Sequence, residues 1–387
     1  MGYLIGGSGE GAEQEILQSD ADLSHLSDNE LRRLRDQTIK DIAKFNNFQM
    51  VRKITLNSAY GALGNEWFRY YKLANAEAVT LSGQVSIRWI ENKMNGFINK
   101  ILETEGVDYV IASDTDSIYI NFQGVVNKFL TKFKGDKEKT VSMIDKICKD
   151  QLEPFIDKCY TQLADYVNAY DQKMQMKREN IADRGIWTAK KRYILNVWDS
   201  EGVRYEEPKL KIMGIEAVKS STPAPCRKMI KDALKLMMEG TEDDVIKFID
   251  NCRSDFKKMA IEEIAFPRKV SDLKKHKSST HIYGKGCPMH VRGCLLYNHY
   301  IKEKGLGNKY SMIDNGEKIK FIHLKKANPI RENVISFISE FPHELGLDKY
   351  IDYDLQFEKA FLEPVKTILD SIGWNVEKTT NLELFFG

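Results

Sequence analysis

The spacing of apolar and polar positions changes period several times along this chain, and each change marks an element. Residues 1–20 are glycine-rich and mostly polar and predict a loop or frayed tip. From Asp28 onward Leu31, Leu34, Ile39, Ile42, Phe45, Phe48 and Val51 recur among charges, and no proline intervenes before Pro154. That spacing predicts one long helix from about Asp28 to Tyr60. A second apolar-periodic helix is predicted from about Ala76 to Leu102. The period then shortens. Tyr109-Val110-Ile111 and Ile118-Tyr119-Ile120 are β-rich runs on either side of Ser113-Asp114-Thr115-Asp116-Ser117, the pattern of a hairpin with its carboxylates at the turn. Residues 138–173 read as helix again, and 190–219 as strands, with Arg192 to Trp198 the clearest run and a turn at Asp199-Ser200-Glu201-Gly202. After Thr222-Pro223 the pattern is mainly helical, broken by loops near 265–290 and 305–330, with no internal repeat.

Bulk properties narrow the picture. A chain of 387 residues that is 42% apolar can bury a large core and form two or three domains. Its 58 Lys+Arg against 56 Asp+Glu leave a net charge of only +2, so any nucleic-acid contact must come from locally clustered cations. Cys148, Cys159, Cys226, Cys252, Cys287 and Cys294 are scattered through a lysine-rich sequence, which points to reduced thiols and a cytoplasmic setting. No apolar stretch reaches the length of a membrane span, and Met1 to Gly6 has neither a basic region with an apolar run nor a myristoylation pattern.

Three groups of residues carry candidate chemistry. Asp114 and Asp116, two apart on a tight turn, can point at a common locus, as hard divalent cations that prefer oxygen ligands require. Such a pair by itself is more often a solvated turn; the flanking strands would hold it rigid. Lys53, Asn57, Tyr60 and Gly64 share one helical face, with Gly61 beside them. A cation, an amide, an aromatic and glycines on one stripe suit a nucleotide triphosphate and base, against the plainer reading of a surface face ending in a helix stop. Lys190-Lys191-Arg192-Tyr193, cations followed by an aromatic entering a strand, could track a phosphate backbone, although a bare charge run is usually a solvated face.

In order and spacing these groups resemble family B DNA polymerases. Lys53 to Arg69 is similar to motif B, Ser113 to Ser117 to motif C, and Lys190 to Tyr193 to the Lys-Lys-Arg-Tyr motif. Tyr60 to Tyr71, Lys191 to Asp199, Glu207 to Gly214, Ser220 to Pro223 and Cys287 to Gly293 bring the resemblance nearest to the replicative enzymes of T4-type bacteriophages, from about Asp28 to the C-terminus. It implies an α+β fold: fingers over 1–65 with a long helix, a palm β-sheet with flanking helices over 66–213, and a mainly helical thumb over 214–387. It implies two Mg²⁺ ions held by Asp116, as main ligand, and Asp114. Lys53 and Asn57 would lie at the triphosphate of a dNTP, with Tyr60 and Gly61 at the nascent base pair. Lys190, Lys191, Arg192 and Tyr193 would grip primer–template DNA, and Glu179 would lie near the metal site. Leu382, Leu384, Phe385 and Phe386 would form a tail that binds a sliding clamp, and a phage-encoded chain would work in the host cytoplasm.

The departures are informative. Ala112-Ser113 stands where the family has Tyr-Gly, and Lys177 where its phage members have an aspartate. None of the nine prolines follows a tyrosine, so motif A, with its metal-binding aspartate, is absent, as are the first fingers helix and the exonuclease. Two arrangements fit: a polymerase split into two chains that reassemble, or a fragment of a longer one. The glycine-rich start favours the split, and with it an N-terminal partner chain that supplies motif A and the 3′-5′ exonuclease. Alone, this chain is then expected to be inactive. Two rivals stand beside this reading: a non-catalytic DNA- and clamp-binding remnant acting as a scaffold, and a zinc module on Cys287, His290 and Cys294, whose spacing is wide and whose fourth ligand is not evident.

Overall fold

A computed structural model describes residue 23 and residues 25–375, apart from 130, 134 and 279. The chain divides into two compact units, Met1–Arg178 and Glu179–Gly387.

The first unit opens with helix α1, Asp28–Leu63. Its start is fixed where the Glu30 carboxylate accepts hydrogen bonds from the Ser27 amide and hydroxyl, an arrangement that satisfies an end group the helix leaves open. Helix α2, Leu73–Leu102, buries Ser86, Ile90, Met94 and Ile98, a stripe at every fourth residue. Strands β1, Val110–Asp114, and β2, Ser117–Ile120, form an antiparallel hairpin with Asp114 paired to Ser117. Helix α3, Gln123–Phe129, and helix α4, Lys137–Ile147, follow; a π-helical turn, Cys148–Leu152, leads into α5, Glu153–Tyr166. Residues 167–173, expected to be helical, leave the helix at Val167. The core of this unit lies between α2 and α5, where Ile90, Met94 and Ile98 meet Ile156, Cys159, Tyr160 and Leu163.

Asn95 ties the hairpin to that core. Its side-chain oxygen accepts from the Tyr109 and Val110 amides at 2.9 Å each, and its NH₂ donates to Asp108 at 2.7 Å. One turn later the Asn99 amide donates to the Val107 carbonyl at 2.7 Å. Where β1 starts, and hence where its far end points, is thus set from α2.

The second unit begins with a three-stranded antiparallel meander: β3, Asn180–Ala189; β4, Arg192–Ser200; and β5, Val203–Met213. β3 was not expected as a strand, because Arg184-Gly185 breaks its pattern. Gly185 fits because a Cβ there would overlap the Trp187 ring and Leu195. Helices α6, Ala224–Glu239, and α7, Glu242–Phe256, pair through faces that include Ile230, Leu234, Val245 and Ile249. Helix α8, Ile261–Ile264, strand β6, Phe266–Lys269, and helix α9, Leu273–His276, are short, and α10, Met289–Glu303, is long. β7, Lys318–His323, and β8, Val334–Phe337, join β6 in a second sheet, and α11, Tyr353–Phe357, and α12, Glu363–Ser371, close the unit. The fold is α+β, but the region expected to be mainly helical contains this sheet. Its strands are four to six residues long, and β8 is buried throughout, so no alternation advertises it. The six cysteines are all free thiols. No helix among the described residues is long and apolar enough to cross a membrane.

Replacing Asn95 by Ala removes three hydrogen bonds from the root of the hairpin, leaving the Tyr109 amide without its acceptor and the Val110 amide with Asp108 alone. A loss of about 1–3 kcal/mol in urea unfolding is expected. An unchanged midpoint would show that Asn95 does not seat the hairpin.

Candidate functional site

The two carboxylates sit where the β1–β2 hairpin reverses. Thr115 and Asp116 are its two turn residues, and Thr115 adopts φ 54°, the positive value that tight hairpin turns need at their first central position. The Asp116 amide donates to the Asp114 carbonyl at 2.6 Å, and the Ser117 hydroxyl to the same oxygen at 3.1 Å. The Thr115 hydroxyl donates to the Asp114 carboxylate at 3.0 Å. Asp114 is half-buried on the strand face shared with Val110, whereas Asp116 is exposed. Tyr160 of α5 is buried in the same core as Val110; burial first, then the charges of Asp116 and Asp157, push its hydroxyl up to about 12. It therefore stays neutral, a point the sequence did not signal because 44 positions separate it from Asp116.

Both aspartates offer hard oxygen donors from one rigid turn, which fits a divalent cation that completes its shell with water and phosphate oxygens. They remain a pair: among the described residues no group of three or more His, Cys, Asp or Glu is gathered to hold a metal. Cys287, His290 and Cys294 do not form one either. The Cys294 thiol is buried in the second unit's core and pushed up to about 12 by that burial, and the His290 ring lies against Phe321.

Lys53, Asn57, Tyr60 and Gly61 lie on α1, all exposed, in the last three turns of the helix. A Cβ at Gly61 would meet nothing, so that surface is open to an incoming group. None of the residues of α1 is buried. Phe45, Phe48, Val51 and Leu56 are each more than half exposed. A helix this long holds its shape in water by packing an apolar face, and this one has its apolar side chains uncovered.

The basic motif belongs to the second unit. Lys190 and Lys191 form the two-residue turn between β3 and β4 rather than entering the strand, with Lys191 at φ 61°. Both are exposed. Arg192 opens β4 and makes a two-pronged pair with Glu216 at 2.8 and 3.1 Å, which Lys219 joins at 2.8 Å. Tyr193 is buried, its ring stacked 6.2 Å from that of Trp187, so this side chain is placed in the sheet's packing and not on the surface with the lysines. It begins a run, Tyr193 to Val197, that is buried at every position, which the motif alone did not show. Glu179 also falls in this unit and pairs with Lys211 at 2.6 Å. Leu382, Leu384, Phe385 and Phe386 lie outside the described residues. Glu216 is a participant the sequence did not single out, since it lies 24 positions from Arg192.

Burial raises the Glu216 carboxyl, but hydrogen bonds from Arg192 and Lys219 outweigh it and hold the group below its usual 4.5. A carboxylate lowered on folding contributes stability that is present above the unfolded value and is lost as pH falls through the folded one. Glu216→Gln is therefore expected to cost about 1–3 kcal/mol at pH 7, with the deficit narrowing as urea unfolding is repeated below pH 4.5. An equal deficit at pH 7 and pH 3 would rule out the charge as its cause.

Comparison with known proteins follows the same segments. Residues 28–163 match the family model "DNA polymerase family B". The chain is 35% identical over 379 residues to the DNA-directed DNA polymerase of Enterobacteria phage T4, covering 95% of this chain and 42% of that protein. With the DNA-directed DNA polymerase of Escherichia phage RB69 it shares 36% identity over 347 residues, 86% of this chain and 38% of that one. The "DNA polymerase beta" of African swine fever virus is 22% identical over 347 residues, 80% of this chain and 28% of its own length. The chain thus spans less than half the length of these relatives.

Proposed function

This chain belongs to DNA polymerase family B, and from that premise we propose that it carries part of a template-directed nucleotidyl-transfer centre that is completed by a segment outside this sequence. One observation supports the reading above all: Asp114 ends β1 and Asp116 lies in the two-residue turn that follows it, inside the stretch that matches the family. In this reading residues 1–65 act as fingers, 66–213 as palm and 214–387 as thumb, functional divisions distinct from the two compact units.

Asp116, with Asp114 beside it, would hold Mg²⁺. Bound there, the cations would activate the primer 3′ hydroxyl and neutralise the departing pyrophosphate. The protein's own groups do the rest. Asp114 and Asp116 repel one another unless cations lie between them, and the cations in turn need a third oxygen ligand, which an N-terminal partner chain that also carries the exonuclease would supply. Lys53 neutralises the dNTP triphosphate and can give a proton to the leaving group, and Asn57 donates to the same phosphates. Tyr60 and Gly61 offer a flat, open surface to the new base pair. Lys190 and Lys191, at the tip of their hairpin, hold the primer–template backbone, with Arg192 braced by Glu216. Glu179 is assigned a place near the metal site, and Leu382, Leu384, Phe385 and Phe386 dock a sliding clamp. The uncovered apolar side chains of α1 support a partner helix laid against it, because leaving them in water would be costly.

Primer extension tests this. With Mg²⁺, this chain alone is expected to extend nothing, and addition of the complementary polymerase segment is expected to restore synthesis. Asp116→Asn in the reassembled enzyme should lower extension by ~10²–10³-fold or more, the scale of losing a preorganised charge-stabilising group, while duplex binding persists. Extension that survives Asp116→Asn would remove Asp116 from the metal site and favour the scaffold reading. Robust extension by this chain alone would refute the need for a partner.

A further inference from the structure

The turn that carries Lys190 and Lys191 is built differently from two other two-residue turns of this protein. Thr115–Asp116 and Glu201–Gly202 each have a positive φ at the first central residue, 54° at Thr115 and 52° at Glu201. That is the condition that matches a tight turn to the twist of its strands. In Lys190–Lys191 the positive φ, 61°, falls at the second residue instead. Turns of that kind splay the strands they join, and the pairing of β3 with β4 shifts register between Trp187 and Ala189, just before the turn. A lysine is also poorly suited to the left-handed region, which glycine occupies freely. The residues of this turn do not by themselves favour its shape, so what packs on it must hold it.

The stretch that follows β5 packs on it at two points. Gly214, at φ 68°, lies directly against the Lys191–Arg192 peptide. A Cβ there would overlap the Lys191 carbonyl oxygen and stand 3.2 Å from the Lys191 carbonyl carbon and from Arg192 Cγ. A backbone oxygen cannot swing aside as the end of a flexible side chain can, so both space and φ call for glycine. Two residues on, the Glu216 carboxylate accepts two hydrogen bonds from the Arg192 guanidinium, at 2.8 and 3.1 Å, and one from Lys219 at 2.8 Å. The backbone of the turn and the side chain beside it are thus fixed from one short segment, while Lys190 and Lys191 stay exposed. Cations carried on a fixed turn lose less freedom on meeting phosphates than cations on a loose one.

We propose that Gly214 and Glu216 are positioning residues for the Lys190–Lys191 turn, setting the place from which its two ammonium groups reach the phosphate backbone. Gly214 sets the path of the turn's backbone, and Glu216 fixes Arg192, the residue at which the turn becomes strand. Neither touches DNA. This rests on the reading that Lys190 and Lys191 hold the primer–template.

The test is a double-mutant cycle on duplex binding by the full chain, read by fluorescence anisotropy from about 50 to about 200 mM salt. Lys190→Ala/Lys191→Ala is expected to weaken binding about tenfold at the low-salt end and to flatten the log-affinity against log-salt slope by ~2, since each neutralised phosphate contributes ~0.9. Gly214→Ala keeps both lysines, yet is expected to weaken binding about fivefold and to flatten the slope in the same sense. Added to the lysine variant it should cost less than about twofold more, because effects that act through one part do not multiply. Glu216→Gln, which keeps the side chain's shape and removes its charge, should show the same non-additivity with a loss of about twofold. Circular dichroism checks the fold of each variant, and Glu216→Gln carries the cycle should Gly214→Ala not fold. If the folded variants bind as the wild type does, or weaken binding by the same factor with and without the lysines, the positioning role is overturned and the lysine grip stands. If Lys190→Ala/Lys191→Ala binds as tightly as the wild type, or the wild type binds no duplex, the underlying reading fails and the proposal with it.

Discussion

One side-chain amide sets the geometry on which the candidate catalytic turn depends. Asn95, on the helix whose Met94 and Ile98 are fully buried, holds two successive amides at the start of β1 and the carboxylate just before them. An amide on a packed helix cannot drift, because its rotamer and its helix are both fixed by the core. The strand it holds therefore leaves α2 in one direction and carries Asp114 and Asp116 four and six residues beyond Val110. A two-stranded hairpin is marginal by itself in water. Here α2, and behind it Tyr160 and Ile156 of α5, provide what the hairpin lacks.

The opposite condition holds for α1. It carries the residues proposed to meet a nucleotide, and none of its 36 residues is buried. The two conditions belong together in a site of this kind. Acidic ligands must be rigid to hold metal charge at fixed separation. A surface that admits and releases a nucleotide each cycle gains from an element whose packing is completed from outside. The apolar residues of α1 are also spread around the helix rather than gathered in one stripe, so the proposed partner would have to cover more than a single face.

Electrostatics divides the second unit in a similar way. Where a cation serves structure, the chain supplies its carboxylate: Arg192 and Lys219 meet Glu216, and Lys211 meets Glu179. Along α6, where among the described residues no ion pair engages Arg227, Lys228, Lys231 or Lys235, the acids Asp232 and Glu239 stand on the same helix.

Local pattern settled a good deal of this protein in advance. The two long helices, the hairpin with its acidic turn and the Glu201–Gly202 reversal were legible because each depends on residues within a few positions: an apolar period, a positive-φ turn, a β-rich run. The motifs that identify the family were legible for the same reason. Tertiary structure decided the rest. Lys190 and Lys191 are exposed at a turn and Tyr193 is buried in β4, the central strand of its sheet, and only strand pairing reveals that. The β6–β7–β8 sheet was hidden because its strands are short and its buried strand lacks alternation. Glu216 at Arg192, Asn95 at the hairpin root and Tyr160 in the field of Asp116 are couplings across 14 to 44 positions. A sequence records which groups are present and the period of their neighbours; which carboxylate meets which cation is fixed by packing, where burial makes an unpaired charge too costly to leave alone.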